Sequence, residues 1–232
     1  MSAPKVSIII AAYNEQDTIA NAVAQVHQVL PGAEIIIVDD GSQDATLAKA
    51  RALEGPLVRV VAYAHNRGKG YAIRRGIEAA TAPLMAQLDA DLQFPPQGLP
   101  ELLRPIEAGR ADIVFGSRYL SNTRIEQGSV SLIKRLASWV MAMIVTVFCR
   151  QRYTDVFAGF KAWRSDVVRA LDIQEDGFTY EAEIAIKAKR QGFKVIEIPT
   201  RYSKRFHGQS KIRIIYHTAT IGWRVLCLGF GQ

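Results

Sequence analysis

The stretch MAQLDADLQFPP, residues 85–96, changes character in its middle. An apolar run typical of a buried strand ends at Asp89, and a second acid follows at Asp91, ahead of Gln93 and two prolines. Residues i and i+2 of an extended chain share one face, so the two carboxylates are expected side by side. Such acids are either solvated or bind a positively charged group. The other motifs of the sequence decide between these two interpretations.

The segments around this stretch alternate between strand-like and helix-like patterns. Strands are predicted by apolar runs at 5–10, 34–40, 57–63, 82–91 and 112–117, and helices by the patterns at 15–30, 43–53, 69–80 and 97–108. This alternation predicts an α/β fold with a mostly parallel central sheet and helices on both faces. Ligands bind such sheets at the carboxyl ends of the strands.

Three of these strand ends carry carboxylates or amides, in the motifs Tyr13-Asn14-Glu15, Asp39-Asp40-Gly41-Ser42 and Asp89-Ala90-Asp91-Leu92-Gln93. Each motif also has a local explanation, because Asn and Asp cap helices, Asp and Gly form turns, and acids at a strand end can be solvated. Their joint occurrence favours one ligand site. Asp89, Asp91 and Gln93 offer the oxygen ligands that suit a hard divalent cation.

A glycine-rich loop, Asn66-Arg67-Gly68-Lys69-Gly70, precedes the predicted helix at 69–80. Its backbone N–H groups are suited to a phosphate at a helix start. The loop lacks the full P-loop pattern, and a purely structural turn is the alternative.

The composition is that of a globular protein, with 49% hydrophobic and 22% charged residues among 232. The net charge of +7 attracts nucleic acid, anionic lipid or phosphorylated ligands, but the sequence shows no aromatic-basic platform for nucleic acid. Cys149 and Cys227 are far apart and predict free thiols in a reducing, cytoplasmic compartment. We expect no signal peptide, and no apolar run reaches the roughly 20 residues of a membrane span.

The three strand-end motifs, the glycine-rich loop and Gly116-Ser117-Arg118-Tyr119 occur in an order that resembles the family 2 inverting glycosyltransferases. The resemblance is strongest to the branch of dolichyl-phosphate mannose synthases and polyprenyl-phosphate glycosyltransferases, and it runs from about residue 5 to residue 212. It departs at Ala12, where the branch usually has proline. A GT-A-type domain at 1–212 and a C-terminal amphipathic segment at 213–232 are therefore expected.

The resemblance implies a site for a nucleotide diphosphate sugar. The residues that would contact this donor are Tyr13, Glu15, Asp39, Asp40, Asp89, Ala90, Asp91 and Lys211. Asp89, Asp91 and Gln93 would hold Mg²⁺ or Mn²⁺ bridging the diphosphate. A cation there would stabilise the negative charge that develops on the leaving group, and it would explain why the two acids tolerate each other.

The resemblance also implies a polyprenyl phosphate acceptor and an inverting transfer of a hexose, with mannose favoured. No nucleophile–base pair stands out in the sequence, and a lipid phosphate needs only positioning and a cationic clamp, because it is already anionic. Arg118 matches the acceptor side, Arg135 less closely, and Ser138 is a weaker candidate. For Arg135, a basic flank on a surface helix is the alternative.

The branch also has a mobile loop that closes over the diphosphate, and Arg205 and Lys211 match it. Gly208 would give such a loop freedom to move, whereas a solvated basic loop is the alternative. Asp91, Arg118 and Arg205 are the residues to which the resemblance assigns catalytic roles.

Two segments predict contact with an anionic membrane surface. Residues 136–148 are apolar and flanked by Lys134, Arg135, Arg150 and Arg152, which indicates an interfacial helix, with a core helix as the alternative. Residues 213–232 are apolar with arginines at intervals and indicate a second surface helix. The enzyme would then be peripheral, on the cytosolic face of a membrane.

Other functions are compatible with the same motifs. One is a same-fold enzyme that uses UDP-glucose or a related donor. Another is an enzyme that acts on a polysaccharide or protein hydroxyl, for which Glu181 or Glu183 would serve as general base. Glu183 alternatively orders the acceptor side or is an exposed helix residue. A non-enzymatic anion-binding module is supported by the net charge alone.

Overall fold

The computed structural model describes residues 3–204 and 214–230. The described strands are β1 Val6–Ala12, β2 Glu34–Asp39, β3 Val58–Ala62, β4 Leu84–Asp89, β5 Ile113–Ser117, β6 Arg124–Ile125, β7 Lys161–Arg164, β8 Val195–Pro199 and β9 Arg201–Tyr202. The described helices are α1 Ile19–Val29, α2 Thr46–Arg51, α3 Lys69–Ala79, α4 Leu99–Glu107, α5 Leu132–Cys149, α6 Ser165–Ala170, α7 Tyr180–Arg190 and α8 Ile214–Phe230, with a short 3-10 helix at Pro96–Gly98.

Seven strands form one sheet in the order β3-β2-β1-β4-β7-β5-β8. Only β7 is antiparallel to its neighbours, β4 and β5. The register brings the motif-bearing strand ends together, since Ala12 pairs with Asp39 and Ala11 pairs with Asp89. The predicted α/β fold with a mostly parallel sheet is therefore confirmed, and the carboxyl ends of β1, β2 and β4 meet at one edge.

Alternate residues of the apolar strands bury themselves in opposite cores, which is why the sheet has helices on both sides. Ile9 and Ile36 face the core formed with α3, α5 and α7. Ile8, Ile10 and Ile37 face the core formed with α1 and α4.

Helix α5 differs in length from the apolar segment predicted at 136–148. It begins at Leu132, where the Ser131 hydroxyl accepts a hydrogen bond from the Lys134 N–H at 3.4 Å. Its 18 residues correspond to about 27 Å. By length and composition it is the one helix among the described residues that is apolar enough to cross a membrane.

A small second sheet lies beside the main one. Strands β6 and β9 are parallel, with Arg124 opposite Arg201 and Ile125 opposite Tyr202. The segment after β9 then reaches the loop that follows β4, because the Ser203 N–H donates to the Gln93 carbonyl at 2.8 Å.

Candidate functional site

The loops after β1 and β2 are joined by hydrogen bonds. The Asn14 N–H donates to the Ser42 hydroxyl at 2.9 Å, and the Asn14 side-chain oxygen accepts from the Gln43 N–H at 2.8 Å. Helix α1 begins only at Ile19, after Thr18, so Asn14 does not cap it. Asn14 instead holds the two loops against each other, in a left-handed conformation with φ of 52°.

Asp40 anchors the glycine-rich loop. Its carboxylate accepts hydrogen bonds from the Asn66 side-chain amide at 2.9 Å, the Arg67 N–H at 2.8 Å and the Gly68 N–H at 3.1 Å. Two backbone donors of the loop thus point at Asp40. This favours the structural alternative for the loop over a phosphate cradle built from these two N–H groups.

Asp39 has one oxygen in use and one without a partner. Its Oδ2 accepts from the Ser42 N–H at 3.1 Å, whereas Oδ1 is buried and has no hydrogen-bond partner within the described part of the chain. A buried acceptor without a donor is costly unless a ligand satisfies it. Between the two acids, Asp39 is therefore the better placed to accept from a ribose hydroxyl or a base N–H.

The first acid of the motif after β4 is held by a lysine. The Lys69 ammonium lies 2.8 Å from Asp89 Oδ1 and 2.9 Å from Asp89 Oδ2. Lys69 is the first residue of α3 and follows directly on the loop that Asp40 anchors. The charge of Asp89 is thus already compensated by the protein, which the sequence alone did not reveal.

The second acid, Asp91, is buried, and its Oδ1 accepts from the Gln93 N–H at 3.1 Å. Between them Leu92 has a φ of 58°, a left-handed conformation that is rare for a leucine. The Gln93 side-chain NH₂ donates to the Ser203 carbonyl at 3.4 Å. This contact uses the nitrogen of the amide and leaves its oxygen, the atom suited to a cation, for another partner.

These oxygen donors fit a divalent cation that is shared with a diphosphate. Within residues 3–204 and 214–230, no group of three or more His, Cys, Asp or Glu side chains is arranged to hold a metal. Mg²⁺, however, is usually held by one or two carboxylates together with substrate phosphates, so Asp91 and Gln93 with Asp89 beside them are a sufficient donor set.

On the other side of the site, Arg118 follows β5 and forms a bidentate ion pair with Asp155. Its Nε lies 2.6 Å from Asp155 Oδ2 and its Nη2 lies 2.8 Å from Asp155 Oδ1. Burial alone would lower the pKa of Arg118, but the fully buried Asp155 outweighs it and raises that pKa. Asp155 is held in turn, since its N–H donates to Glu197 at 2.8 Å.

Aromatic rings surround the Arg118 guanidinium and connect it with the other predicted acceptor residues. Its central carbon lies 5.1 Å from the ring centroid of Tyr202 and 5.4 Å from that of Tyr119. The Arg135 guanidinium lies 5.8 Å from the same Tyr119 ring, and Ser138 follows Arg135 by about one turn of α5. The structure thus brings the two predicted acceptor arginines together at Tyr119.

Neither glutamate of the candidate general-base pair is exposed. Glu183 accepts from the N–H groups of Gln174 at 2.9 Å and Glu175 at 2.8 Å, and it pairs with Lys187 at 2.8 Å. Glu183 is therefore a buried anchor for the loop before α7 and not an exposed helix residue.

Glu181 lies between Lys161 at 2.7 Å and Lys69 at 3.3 Å. Burial would raise the pKa of Glu181, but the two lysines outweigh burial and lower it.

Some predicted residues lie outside the described part of the chain, and some functional candidates were missed. Arg205 and Lys211, the predicted loop residues, fall outside the described residues. Asp155 and Lys161 were not predicted, because a single acid or lysine in a short segment carries no signal until long-range contacts are known. Lys69 was visible in the glycine-rich motif, but its pairing with Asp89 was not.

Comparison with known proteins identifies the family. Residues 7–172 match the profile of glycosyl transferase family 2. The chain is 34% identical over 214 residues to the dolichol-phosphate mannosyltransferase of Pyrococcus furiosus, covering 90% of this chain and 59% of that protein. It is 29% identical to the undecaprenyl-phosphate mannosyltransferase of Micrococcus luteus, over 90% of this chain and 87% of that protein.

Solved structures confirm the GT-A fold. The glucosyl-3-phosphoglycerate synthase of Mycobacterium tuberculosis, crystallised with Mn²⁺, uridine diphosphate and phosphoglyceric acid, superposes with a TM-score of 0.75 at 18% identity. The superposition covers 98% of this chain and 79% of that one. The predicted fold and enzyme class are both confirmed, and the chain belongs to glycosyl transferase family 2.

Proposed function

We propose that this chain transfers a hexose, with mannose favoured, from a nucleotide diphosphate sugar to a polyprenyl phosphate, with inversion at the anomeric carbon. The observation that carries this proposal is the set of side chains around Tyr119, where the acceptor is predicted to bind. It presents two arginines at the Tyr119 ring, while the glutamates Glu181 and Glu183 are buried and bound to lysines. Such a site suits an acceptor that is already an anion.

The donor would lie along the edge formed by β1, β2 and β4. The Asp39 oxygen that lacks a partner among the described residues would accept a hydrogen bond from the nucleoside. Tyr13 and Glu15 lie in the loop after β1, whose last residue, Ala12, pairs with Asp39. Asp40 would act indirectly, by fixing the loop that leads into Lys69. The diphosphate would then reach Asp89 and Asp91.

Asp91 and Gln93 would hold the cation, Mg²⁺ or Mn²⁺, which when bound stabilises the charge that develops on the departing diphosphate. The protein contributes the orientation of its ligands. Gln93 is fixed at both ends, because its backbone binds Ser203 and its side-chain NH₂ binds the Ser203 carbonyl. The side chains of Asp91 and Gln93 are therefore oriented before the substrate binds.

Arg118 would hold the acceptor phosphate in line behind the anomeric carbon. The bidentate pair with Asp155 fixes the plane of its guanidinium, and a fixed cation loses little freedom when a phosphate binds. Arg135 would add a second positive charge, 5.8 Å from the Tyr119 ring. Because the acceptor oxygen is already charged, no side chain needs to remove a proton.

Helix α5 would rest on the membrane surface that contains the lipid. Its exposed face carries Leu132, Leu136, Trp139, Met143 and Val147, which repeat every three or four residues and are up to 81% exposed. On the opposite face, Met141, Ala142, Val145 and Cys149 are buried against the protein. We therefore propose that α5 lies in the interface and does not cross the bilayer.

Helix α8 would extend this apolar surface. The Phe148 ring of α5 lies 5.2 Å from the Phe230 ring of α8, and Trp223 and Phe230 are exposed. Lys134, Arg135, Arg150 and Arg152 flank the apolar face of α5 and suit anionic headgroups. We place the protein at the cytosolic face as a peripheral enzyme.

A transfer assay tests the proposal. Purified protein, Mg²⁺ or Mn²⁺ and vesicles that contain a polyprenyl phosphate are incubated with radiolabelled GDP-mannose, UDP-glucose and related donors in parallel. Label extracted with the lipid from one donor supports the proposal and identifies the sugar. A parallel reaction contains a polysaccharide or a protein acceptor in place of the lipid. Label in that acceptor, with none in the lipid for any donor, would contradict the proposal and favour a hydroxyl acceptor.

A further inference from the structure

Four charged side chains of alternating sign form a row that begins at the predicted metal loop and ends in the core. Asp89 contacts Lys69 at 2.8 Å, Lys69 contacts Glu181 at 3.3 Å, and Glu181 contacts Lys161 at 2.7 Å. The row joins four separate elements, since these residues belong to β4, α3, α7 and β7. We call these four residues the charge row.

The inner end of the charge row is out of contact with water. The side chain of Lys161 is 0% exposed and that of Glu181 is 1% exposed. A buried charge is costly unless it is paired and hydrogen-bonded, and both conditions hold here. Lys161 also donates to the Ala158 carbonyl, and the Tyr180 hydroxyl donates to Glu181 at 3.2 Å.

The outer end of the charge row is packed against Gly159, where a side chain would displace Asp89 or Lys69. A Cβ placed on Gly159 would lie 2.1 Å from Asp89 Oδ2 and 2.6 Å from the Lys69 ammonium. The chain leading into β7 therefore holds the Asp89–Lys69 pair from a third side. A geometry with this many constraints determines where the Asp89 carboxylate points.

We propose that Glu181 is a positioning residue for the metal and diphosphate end of the site. Through Lys69 it fixes the orientation of Asp89 and balances its charge, so that the cation is held at Asp91 and Gln93. This inference rests on the proposed metal site, but it does not depend on which sugar or acceptor the enzyme uses. It gives Glu181 a role other than that of a general base.

The neighbouring Glu183 provides a matched control for Glu181. Both are glutamates of α7, both are about 1% exposed, and both have a lysine partner. Glu183, however, binds the backbone of residues 174–175 and contacts no member of the charge row. Loss of Glu183 should therefore lower the melting temperature without changing metal binding.

The test measures the affinity for Mn²⁺ by electron paramagnetic resonance with saturating GDP or UDP and no lipid, because a diphosphate completes the donor set of the cation. Glu181→Gln should weaken Mn²⁺ binding by roughly 10- to 100-fold, the range found when a residue that orients metal ligands is lost. Glu181→Asp should recover part of that loss. Glu183→Gln should bind Mn²⁺ as the wild type does.

A second variant separates positioning from stability, because Glu181→Gln leaves Lys161 as a buried cation without its partner. The double variant Lys161→Met with Glu181→Gln removes both charges. It should be more stable to heat than Glu181→Gln and still bind Mn²⁺ weakly. If Glu181→Gln does not fold, the Mn²⁺ affinity of the double variant is compared with those of the wild type and Glu183→Gln instead.

Three results would overturn the inference. The first is wild-type Mn²⁺ affinity in folded Glu181→Gln or in the double variant. The second is an equal loss of affinity in Glu183→Gln. The third is a wild-type chain that binds no Mn²⁺, which would contradict the proposed metal site as well, whereas the first two leave that site intact.

Discussion

At the scale of single residues, burial and hydrogen bonding distinguish acids that look alike in the sequence. Asp40, Asp155 and Glu183 each accept from backbone N–H groups or from an arginine and serve as internal anchors. Asp39 keeps a buried oxygen without a hydrogen-bond partner in the described chain, and Asp91 lies beside a glutamine amide with an oxygen to offer. The sequence alone makes no such distinction, because all five residues are simply acids.

The first prediction concerns Asp91. Asp91→Ala should abolish turnover, because it removes the carboxylate ligand of the cation, while the circular dichroism spectrum remains that of the wild type. Turnover of the wild-type enzyme should also be lost in EDTA and restored by excess Mn²⁺. Full activity of Asp91→Ala, or of the wild type in chelator, would refute the metal role.

The second prediction concerns Arg118. Arg118→Ala should lower the transfer rate far more than nucleotide affinity, but it also leaves Asp155 buried without its partner, at a cost of about 3–5 kcal/mol. Arg118→Lys is therefore the cleaner variant, because it keeps the charge and loses only the bidentate geometry. Its transfer rate should fall at least about tenfold, while nucleotide affinity measured by calorimetry should change little.

Arg164→Lys is the matched control for this comparison. Arg164 also pairs with an aspartate, Asp166, at 2.5 Å, but this pair is at the surface, so its loss should change neither transfer nor nucleotide binding. If Arg118→Lys transferred sugar as fast as Arg164→Lys, Arg118 would not be the acceptor clamp.

At the scale of elements, the strands were predictable and the contacts between distant segments were not. The runs that form β1, β2, β4 and β5 are apolar because both faces of the sheet are covered, and this gives a strong pattern. Strand β7 has only four residues and a lysine in it, and its antiparallel placement depends on pairing with β4 and β5. Lys161, Glu181 and Asp155 acquire their roles only through such long-range contacts.

The start of helix α5 was also not predictable from the sequence pattern. The sequence places Lys134 and Arg135 as flanks of an apolar segment at 136–148, whereas in the structure both lie inside the first turn of α5. Long basic side chains are compatible with this position, because their charged ends reach beyond the apolar face. The helix therefore has both an apolar face and a basic end, which is what an interfacial position requires.

The third prediction tests that surface. Leu136→Glu combined with Val147→Glu should strongly reduce flotation of the protein with anionic vesicles, because both side chains lie on the exposed face of α5. Ala20→Glu with Arg51→Glu, exposed positions on α1 and α2, provides a control that also adds acidic charge. Wild-type binding should decrease at high salt. Equal flotation of both variants, or no lipid binding by the wild type at any salt concentration, would contradict the membrane role of α5.

At the scale of the whole molecule, the fold brings two groups of side chains to the same edge of the sheet. The ends of β1, β2 and β4 carry the acids and amides suited to a nucleotide diphosphate and a cation. The segments after β5 and β9 and the start of α5 carry the arginines and aromatic rings suited to an anionic acceptor. The apolar face of α5 is in the same helix as Arg135, so the proposed membrane contact would be adjacent to the proposed acceptor contact.

The most direct test of the central claim compares transfer to a polyprenyl phosphate with transfer to the same polyprenol without its phosphate. Both are presented in identical vesicles with the donor that the panel assay selects. We predict labelled lipid only with the phosphate, and a rate that Glu183→Gln leaves unchanged, because the acceptor anion needs no base. Equal labelling of the free polyprenol would contradict the account, because it would imply a general base at the acceptor.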